Sequence, residues 1–242
     1  MPPILELDGL KKSFGAIVVA DDLSFNLSQG EALGIIGPNG AGKTTTFNLI
    51  TGALAPNAGK IRFQGSDITS HSAARRSRSG IARSFQVPQP FSGMTVFENA
   101  MVAATQAAGL SGHKAEQFAL NILDKTELLS KANQTAGSLT LLDRKRLELS
   151  RALCTKPKLL LLDEIAGGLT ESECTALVDT IKDVHASGVS IIWIEHVVHA
   201  LLAVVDRLIV IDFGRKIAEG NPSTIMKSPE VEEIYLGIAV DA

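Results

Sequence analysis

Apolar residues follow two different patterns along this chain. Short β-type runs open it, and in the last of them apolar and polar residues alternate: Ile4–Leu7, Ile17–Ala20 and Leu23–Leu27. Later runs are continuous rather than alternating: Leu159–Leu162, Val189–Ile194 and Leu208–Ile211. Continuous apolar strands are typical of a parallel sheet that is covered on both faces. The pattern therefore predicts an α/β core.

Helical periodicity dominates the middle of the chain. Between about Thr95 and Thr155, apolar residues recur at i, i+3 and i+4 in three segments: Phe97–Ala107, Lys114–Lys125 and Leu141–Leu153. Two further helices are predicted, at Lys43–Thr51 and Glu171–His185. Because the central helices interrupt one α/β core, we expect a discontinuous fold. Residues 1–87 and 158–242 would form the core, and residues 88–157 a helical subdomain.

Charge and composition limit the possible partners. The 242 residues carry a formal charge of −3, so the chain lacks the basic excess that nucleic-acid binding usually requires. The spacing of Cys154 and Cys174 fits neither a zinc pair nor a redox CxxC, which predicts reduced, packed thiols. No signal-like segment opens the sequence, and its apolar runs are shorter than the ~20 residues of a membrane-spanning helix. Any membrane role is expected to come through a partner.

A glycine-rich segment between a predicted strand and a predicted helix matches the pattern GxxxxGK[ST]. It reads Gly37, Pro38, Asn39, Gly40, Ala41, Gly42, Lys43 and Thr44. Glycines let successive backbone N–H groups surround phosphate oxygens, and the following helix points its positive end at the same anion. Lys43 is expected to reach the β- and γ-phosphates, and the Thr44 hydroxyl to coordinate Mg²⁺. The motif predicts a P-loop nucleotide site.

Two acidic residues follow the run of leucines at 159–162. Asp163 and Glu164 would stand at the carboxyl end of a buried strand, where open α/β sheets gather their ligands. Asp163 is the expected Mg²⁺ carboxylate, and Glu164 has the reach to orient or deprotonate an attacking water. The sequence lacks the Asn-Lys-x-Asp segment that reads guanine in GTPases. The sequence therefore gives no sign of a guanine-specific site.

With these motifs in hand, the chain resembles the ATP-binding subunits of ABC transporters, and more narrowly those of branched-chain amino-acid (Liv-type) importers. The resemblance implies a RecA-like P-loop NTPase core with an N-terminal antiparallel β subdomain and an inserted α-helical subdomain. It also assigns roles: Phe14 would stack on adenine, Gln86 would contact Mg²⁺ and γ-phosphate, and His196 would contact γ-phosphate. Thr45 joins the nucleotide contacts. The segment Glu233–Gly237 is similar to the Liv-type C-terminus.

The largest departure from the family lies in its signature motif. The family pattern Leu-Ser-Gly-Gly-Gln appears here as Leu139-Thr140-Leu141-Leu142-Asp143. Thr140 and Asp143 keep a T-x-x-D capping pattern, so we expect a helix to begin there. By resemblance, Thr140 would contact the γ-phosphate of a partner's ATP. Leu142 in place of glycine would narrow that site.

The resemblance implies an ATPase that binds ATP and Mg²⁺, pairs with a second ATPase subunit and works with membrane permease subunits. A periplasmic substrate-binding protein is an indirect partner, and the expected location is the cytoplasmic face of the bacterial inner membrane. Three alternatives stay open: a lipopolysaccharide-export ATPase, a soluble non-transport ABC ATPase, and a P-loop module that no longer hydrolyses ATP. For the basic run Arg75, Arg76, Arg78 and Arg83, a solvated helix face is favoured over docking to the membrane partner.

Overall fold

The computed structural model describes residues 3–229 and 231. A small antiparallel sheet in the order β2-β1-β4-β5 is built from four strands: β1 (Leu5–Phe14), β2 (Ile17–Leu27), β4 (Ala58–Phe63) and β5 (Ser66–Asp67). The second sheet contains six strands: β3 (Ala32–Ile36), β6 (Ile81–Arg83), β7 (Leu159–Asp163), β8 (Ser190–Ile194), β9 (Arg207–Asp212) and β10 (Arg215–Gly220).

Strand order in the second sheet brings distant parts of the chain together. The order is β10-β9-β3-β8-β7-β6, with β10 antiparallel to β9 and the other neighbours parallel. In the parallel register Ile35 and Asp163 both pair with Ile194. The carboxyl ends of β3, β7 and β8 therefore lie side by side, and the loops that follow them share one edge.

Both faces of this sheet are covered, which explains the continuous apolar strands. Successive residues of β3 and β7 belong to opposite sides: Leu33 and Leu161 pack in the cluster shared with the antiparallel sheet and α1, whereas Ala32 and Leu160 pack against the helices on the other face. The period of two along each strand separates the two cores.

The helices lie around the two sheets. They are α1 (Lys43–Thr51), α2 (Ala73–Ser79), α3 (Val96–Gln106), α4 (Gly112–Lys125), α5 (Leu141–Leu153), α6 (Glu171–Ala186), α7 (Val198–Leu202) and α8 (Pro222–Ile225). Three of them, α3 to α5, are inserted between β6 and β7 and pack on one another. Small side chains make this close packing possible, because Ala100, Ala104, Ala115 and Ala119 are fully buried there.

The expected fold class is confirmed, with local differences. Ile17–Ala20 and Leu23–Leu27 form one strand rather than two, since a bulged ladder carries β2 across Asp22, whose φ is 56°. The sequence patterns gave no bounds for α2 and missed β5, β6, β10, α7 and α8. In the described part of the chain, no helix has both the length and the apolar character that crossing a membrane requires. The Liv-type segment Glu233–Gly237 lies outside the described residues.

The prediction of a solvated basic helix face is wrong for Arg76. Its side chain is buried and donates hydrogen bonds to four backbone carbonyls, those of Leu49, Ile50, Thr69 and His71. Leu49 and Ile50 belong to the last turn of α1, whose carbonyls have no partner within the helix. Arg76 therefore supplies hydrogen bonds to the free carbonyls at the end of α1 and holds α2 against that helix.

Candidate functional site

The glycine-rich loop leaves the carboxyl end of β3 and runs directly into α1. Two of its glycines lie against backbone: a Cβ at Gly37 would come within 2.0 Å of the Ile211 carbonyl oxygen, and one at Gly42 within 2.3 Å of the Val19 carbonyl oxygen. Gly42 also has a φ of 99°, which a side chain would strain. Ala41 is buried, whereas Asn39, Gly40 and Thr44 are exposed and Pro38 and Thr45 are half-buried.

The start of α1 can receive an anion. Its N-cap is Gly42, and no side chain caps the helix within the described part of the chain. The first N–H groups of a helix have no partner inside it, and the helix dipole makes this end positive. The loop and helix together therefore fit a phosphate group.

Lys43 lies folded over the loop. Its Nζ donates to the carbonyl oxygens of Gly37 at 2.7 Å and Pro38 at 2.9 Å, and the side chain is buried. Burial lowers the pKa of Lys43, and the carboxylates of Glu164 and Asp163 act in the opposite direction. The ammonium group thus stands between the loop and two carboxylates, a position from which it can meet phosphate oxygens.

Asp163 ends β7 in a buried ion pair. Its Oδ2 accepts a 2.5 Å hydrogen bond from Nη2 of Arg83, and the two side chains are only 4% and 8% exposed. Arg83 also donates to Oδ1 of Asn48 and lies over the ring of Phe85. Burial raises the pKa of Asp163, although the nearby guanidinium lowers it. The prediction of a solvated face for Arg83 is wrong. Arg83 ends β6, which is the neighbour of β7 in the sheet, so its side chain lies beside Asp163.

Glu164 is where three predicted catalytic residues meet. One carboxylate oxygen accepts a hydrogen bond from Nε2 of Gln86, and the other lies 2.9 Å from Nε2 of His196. Glu164 adopts a left-handed backbone conformation with φ of 46°, and its N–H donates to the Ile194 carbonyl of β8. Such strained conformations cluster at functional sites. These residues follow β6, β7 and β8, so the strand order itself brings their side chains together.

Phe14 lies at the end of β1 and is 50% exposed, so its ring is available for stacking. The hairpin partner of Phe14 is Ile17, which is also exposed. Ile17 begins β2, and two residues later the Val19 carbonyl of this strand lies against Gly42 of the P-loop. Phe14 therefore belongs to the same region of the surface as the phosphate loop.

The signature segment begins a helix, as expected. Thr140 is the N-cap of α5, and its hydroxyl accepts from the Asp143 N–H and donates to Oδ2 of the same residue at 2.8 Å. The buried Asp143 carboxylate also forms a 2.5 Å ion pair with Lys131. Among the described residues Thr140 has no side-chain hydrogen bond to the P-loop. The exposed Leu141 borders the cleft that contains Gln86 and Glu164.

The side chains beside the P-loop fit Mg²⁺ only when phosphate oxygens of a bound nucleotide complete its ligands. Among the described residues, no three His, Cys, Asp or Glu side chains form a group that could hold a metal ion by themselves. Mg²⁺ normally keeps several waters and is held through one or two carboxylates together with substrate phosphates. Asp163 and the exposed hydroxyl of Thr44 supply that smaller set, with Gln86 as the predicted third oxygen donor.

Comparison with known proteins gives the same family throughout. The ABC transporter family model matches residues 20–167, which is more than half of the chain. BraF, a high-affinity branched-chain amino acid transport ATP-binding protein of Pseudomonas aeruginosa, is 34% identical over 98% of this chain and 99% of its own length. LivG of Escherichia coli, which has the same description, is 34% identical with the same coverage. The lipopolysaccharide export system ATP-binding protein LptB of Acidithiobacillus ferridurans is 32% identical over 98% of both chains.

Solved structures share the fold over nearly the whole length. The ADP conformation of MJ1267, an ATP-binding cassette of an ABC transporter, has a TM-score of 0.88 and 31% identity, covering 98% of this chain and 100% of that one. A second structure of MJ1267 has a TM-score of 0.90 and 32% identity, covering 97% and 99%. On these grounds, and on the motifs that its strand ends bring together, the chain belongs to the ABC transporter family and is one of its ATP-binding subunits.

Proposed function

We propose that this chain hydrolyses ATP to ADP and phosphate at the edge formed by β3, β7 and β8, and that this reaction powers import of a branched-chain or similar amino acid. The observation that carries the catalytic part is the Glu164 carboxylate, held between Gln86 and His196 beside the P-loop lysine. A carboxylate held in this manner can orient a water and accept its proton.

Each residue then has one task. The Lys43 ammonium and the backbone N–H groups of residues 37–45, except Pro38, which has none, bind the phosphates, and Phe14 stacks on the adenine base. Thr44, Gln86 and Asp163 would hold Mg²⁺, which supplies charge neutralisation on the phosphates when bound. Glu164 directs the attacking water, and His196 orients Glu164 and contacts the γ-phosphate. Lys43 stabilises the charge that develops on the transferred phosphoryl group.

A second ATPase subunit, identical or paralogous, completes the site in this proposal. Thr140 at the start of α5 would contact the γ-phosphate of the partner's nucleotide, because a helix N-terminus with a hydroxyl suits an anion. Residues 88–157 would act as a subdomain that moves when the dimer closes and pushes on membrane permease subunits. The work would take place on the cytoplasmic face of the inner membrane, with a periplasmic binding protein supplying the cargo.

The test of catalysis is Glu164→Gln, which keeps the shape of the side chain and removes its basicity. We expect hydrolysis to fall by at least ~10²-fold, because general-base catalysis contributes about that much. Binding of a fluorescent ATP analogue should stay within about 3-fold of the unmodified protein, since no phosphate contact is lost. With ATP present, the variant should accumulate as a dimer in size-exclusion chromatography.

Glu116→Gln is the matched control, because Glu116 lies on the exposed side of α4 and, in the described part of the chain, pairs with His113 alone. It should hydrolyse ATP at the normal rate. Undiminished hydrolysis by Glu164→Gln would remove Glu164 from the catalytic role. Absence of hydrolysis by the unmodified protein, with and without its membrane partner, would favour a module whose Leu141 and Leu142 block the reaction.

The cargo is tested separately. Similarity to BraF and LivG supports amino-acid import, whereas similarity to LptB supports lipopolysaccharide export as the second candidate. Reconstitution with the cognate permeases and a panel of labelled amino acids distinguishes them: ATP-dependent uptake of leucine, isoleucine or valine supports import. Outward movement of lipopolysaccharide would replace that proposal, and hydrolysis independent of any permease would favour a soluble ABC ATPase.

A further inference from the structure

Glu195, the residue before His196, is a buried carboxylate at the carboxyl end of β8. It is 1% exposed, yet it accepts hydrogen bonds from three backbone N–H groups. One oxygen accepts from Ala166 at 3.0 Å, and the other from His196 at 3.0 Å and from Val197 at 3.3 Å. Glu195 therefore joins the loop after Glu164 to the turn that carries His196.

Lys145 makes the complementary contacts from α5. It is 4% exposed, and its Nζ donates to the backbone carbonyls of Gln86 at 3.3 Å and Glu164 at 3.2 Å. Burial lowers the pKa of Lys145, while the carboxylates of Glu195 and Glu164 act in the opposite direction. Lys145 and Glu195 are thus both buried, and both bind backbone groups of the segments that carry the catalytic side chains.

These contacts coincide with the catalytic cluster. Gln86, Glu164 and His196 meet at the Glu164 carboxylate through their side chains. Each of the three is also held at its backbone by Lys145 or Glu195. Burying a charged group is costly unless hydrogen bonds or an opposite charge compensate it, so packing alone gives little reason for a lysine and a glutamate at these two positions.

We propose that Lys145 and Glu195 are positioning residues for ATP hydrolysis: together they fix the backbones from which Gln86, Glu164 and His196 converge. Lys145 belongs to α5, five residues after the N-cap Thr140, so it also connects the helix that would meet the partner's nucleotide with the catalytic carboxylate of its own subunit. This inference rests on the function proposed above.

The substitutions are chosen by hydrogen-bond chemistry. Glu195→Gln keeps one acceptor oxygen and turns an NH₂ group toward N–H donors, so it must lose either the Ala166 contact or the contacts to His196 and Val197. Lys145→Met keeps the apolar stem and removes all donors. Lys145→Arg keeps charge and donors at the same position. Lys182→Met and Glu116→Gln, at exposed pairs, are the matched controls.

The measurements are kcat, KM, the Kd of a fluorescent ATP analogue and the thermal unfolding midpoint. We expect kcat to fall by about 10- to 100-fold in Glu195→Gln and Lys145→Met, because misplacement of catalytic groups by about 1 Å costs on the order of 10². KM and Kd should change by less than about 3-fold, since among the described residues neither side chain has a hydrogen bond to the P-loop. Lys145→Arg should recover most of kcat, and the controls should match the unmodified protein.

A merely structural role predicts a different result: lower unfolding midpoints with kcat unchanged at temperatures where the variants are folded. That outcome overturns the inference while Glu164→Gln still tests the proposed function. If Glu195→Gln does not fold, Glu195→Asp replaces it, because its shorter side chain keeps the charge but cannot reach both Ala166 and His196. A normal kcat in Glu195→Asp would likewise overturn the inference. Absence of hydrolysis in the unmodified protein would overturn both proposals.

Discussion

Arg83 offers the sharpest test of how this protein holds Asp163, the proposed magnesium carboxylate. In Arg83→Met the apolar stem still packs against the neighbouring phenylalanine rings, whereas the guanidinium that pairs with Asp163 is lost. Both side chains of the pair are almost fully buried. Removing one partner of a buried pair leaves an uncompensated charge, which costs about 3–5 kcal/mol. We expect the free energy of unfolding to fall by that amount near neutral pH.

The pH dependence of this loss has a defined sign. Burial raises the pKa of Asp163 above its unfolded value, so ionising Asp163 reduces stability as pH rises through the folded-state pKa. Arg83 lowers that pKa, and its removal enlarges the penalty. The difference in unfolding free energy between Arg83→Met and the unmodified protein should therefore be smallest at about pH 4 and grow toward about pH 7.5.

Urea unfolding at several pH values measures this difference. Arg62→Met is the matched control, because Arg62 pairs with Glu6 on the surface and should contribute no more than about 1 kcal/mol. The reasoning is refuted if Arg83→Met loses less than about 1 kcal/mol at neutral pH. It is also refuted if the loss is the same throughout the pH range.

Two further predictions concern the stacking of the adenine base on Phe14 and the reactivity of the Cys154 thiol. Phe14→Ala should weaken ATP binding by about 0.5–1.5 kcal/mol, or roughly 2- to 10-fold. Phe14→Tyr keeps the aromatic ring and should bind ATP normally. Equal affinity of the unmodified protein and both variants for a fluorescent ATP analogue would exclude stacking. Burial raises the pKa of the Cys154 thiol to about 12. At about pH 8 a thiol reagent should therefore leave Cys154 unmodified in the folded protein and should modify it when the protein is unfolded in guanidinium chloride. Rapid labelling of Cys154 in the folded protein would contradict its burial.

Some features of this protein follow from sequence because their chemistry is local. The phosphate loop needs consecutive glycines followed by Lys43 and Thr44, and the start of α5 needs only Thr140 and Asp143 three residues apart. Continuous apolar strands likewise indicate a sheet covered on both faces. These patterns were sufficient to predict an α/β core and to single out Glu164, whereas His196 was assigned by resemblance to the family.

Tertiary structure alone decided what the buried charges do. Arg83 and Asp163 are 80 residues apart in the chain, and their pairing depends on β6 and β7 being neighbours. Tertiary structure likewise brings Lys145 and Glu195, which sequence patterns did not single out, and Arg76 to the backbone groups that they bind. Charged side chains are usually exposed, so composition predicts a solvated surface for Arg76, Arg83, Lys145 and Glu195. Only the strand order and the helix packing bring partners close enough to make burial of these charges stable.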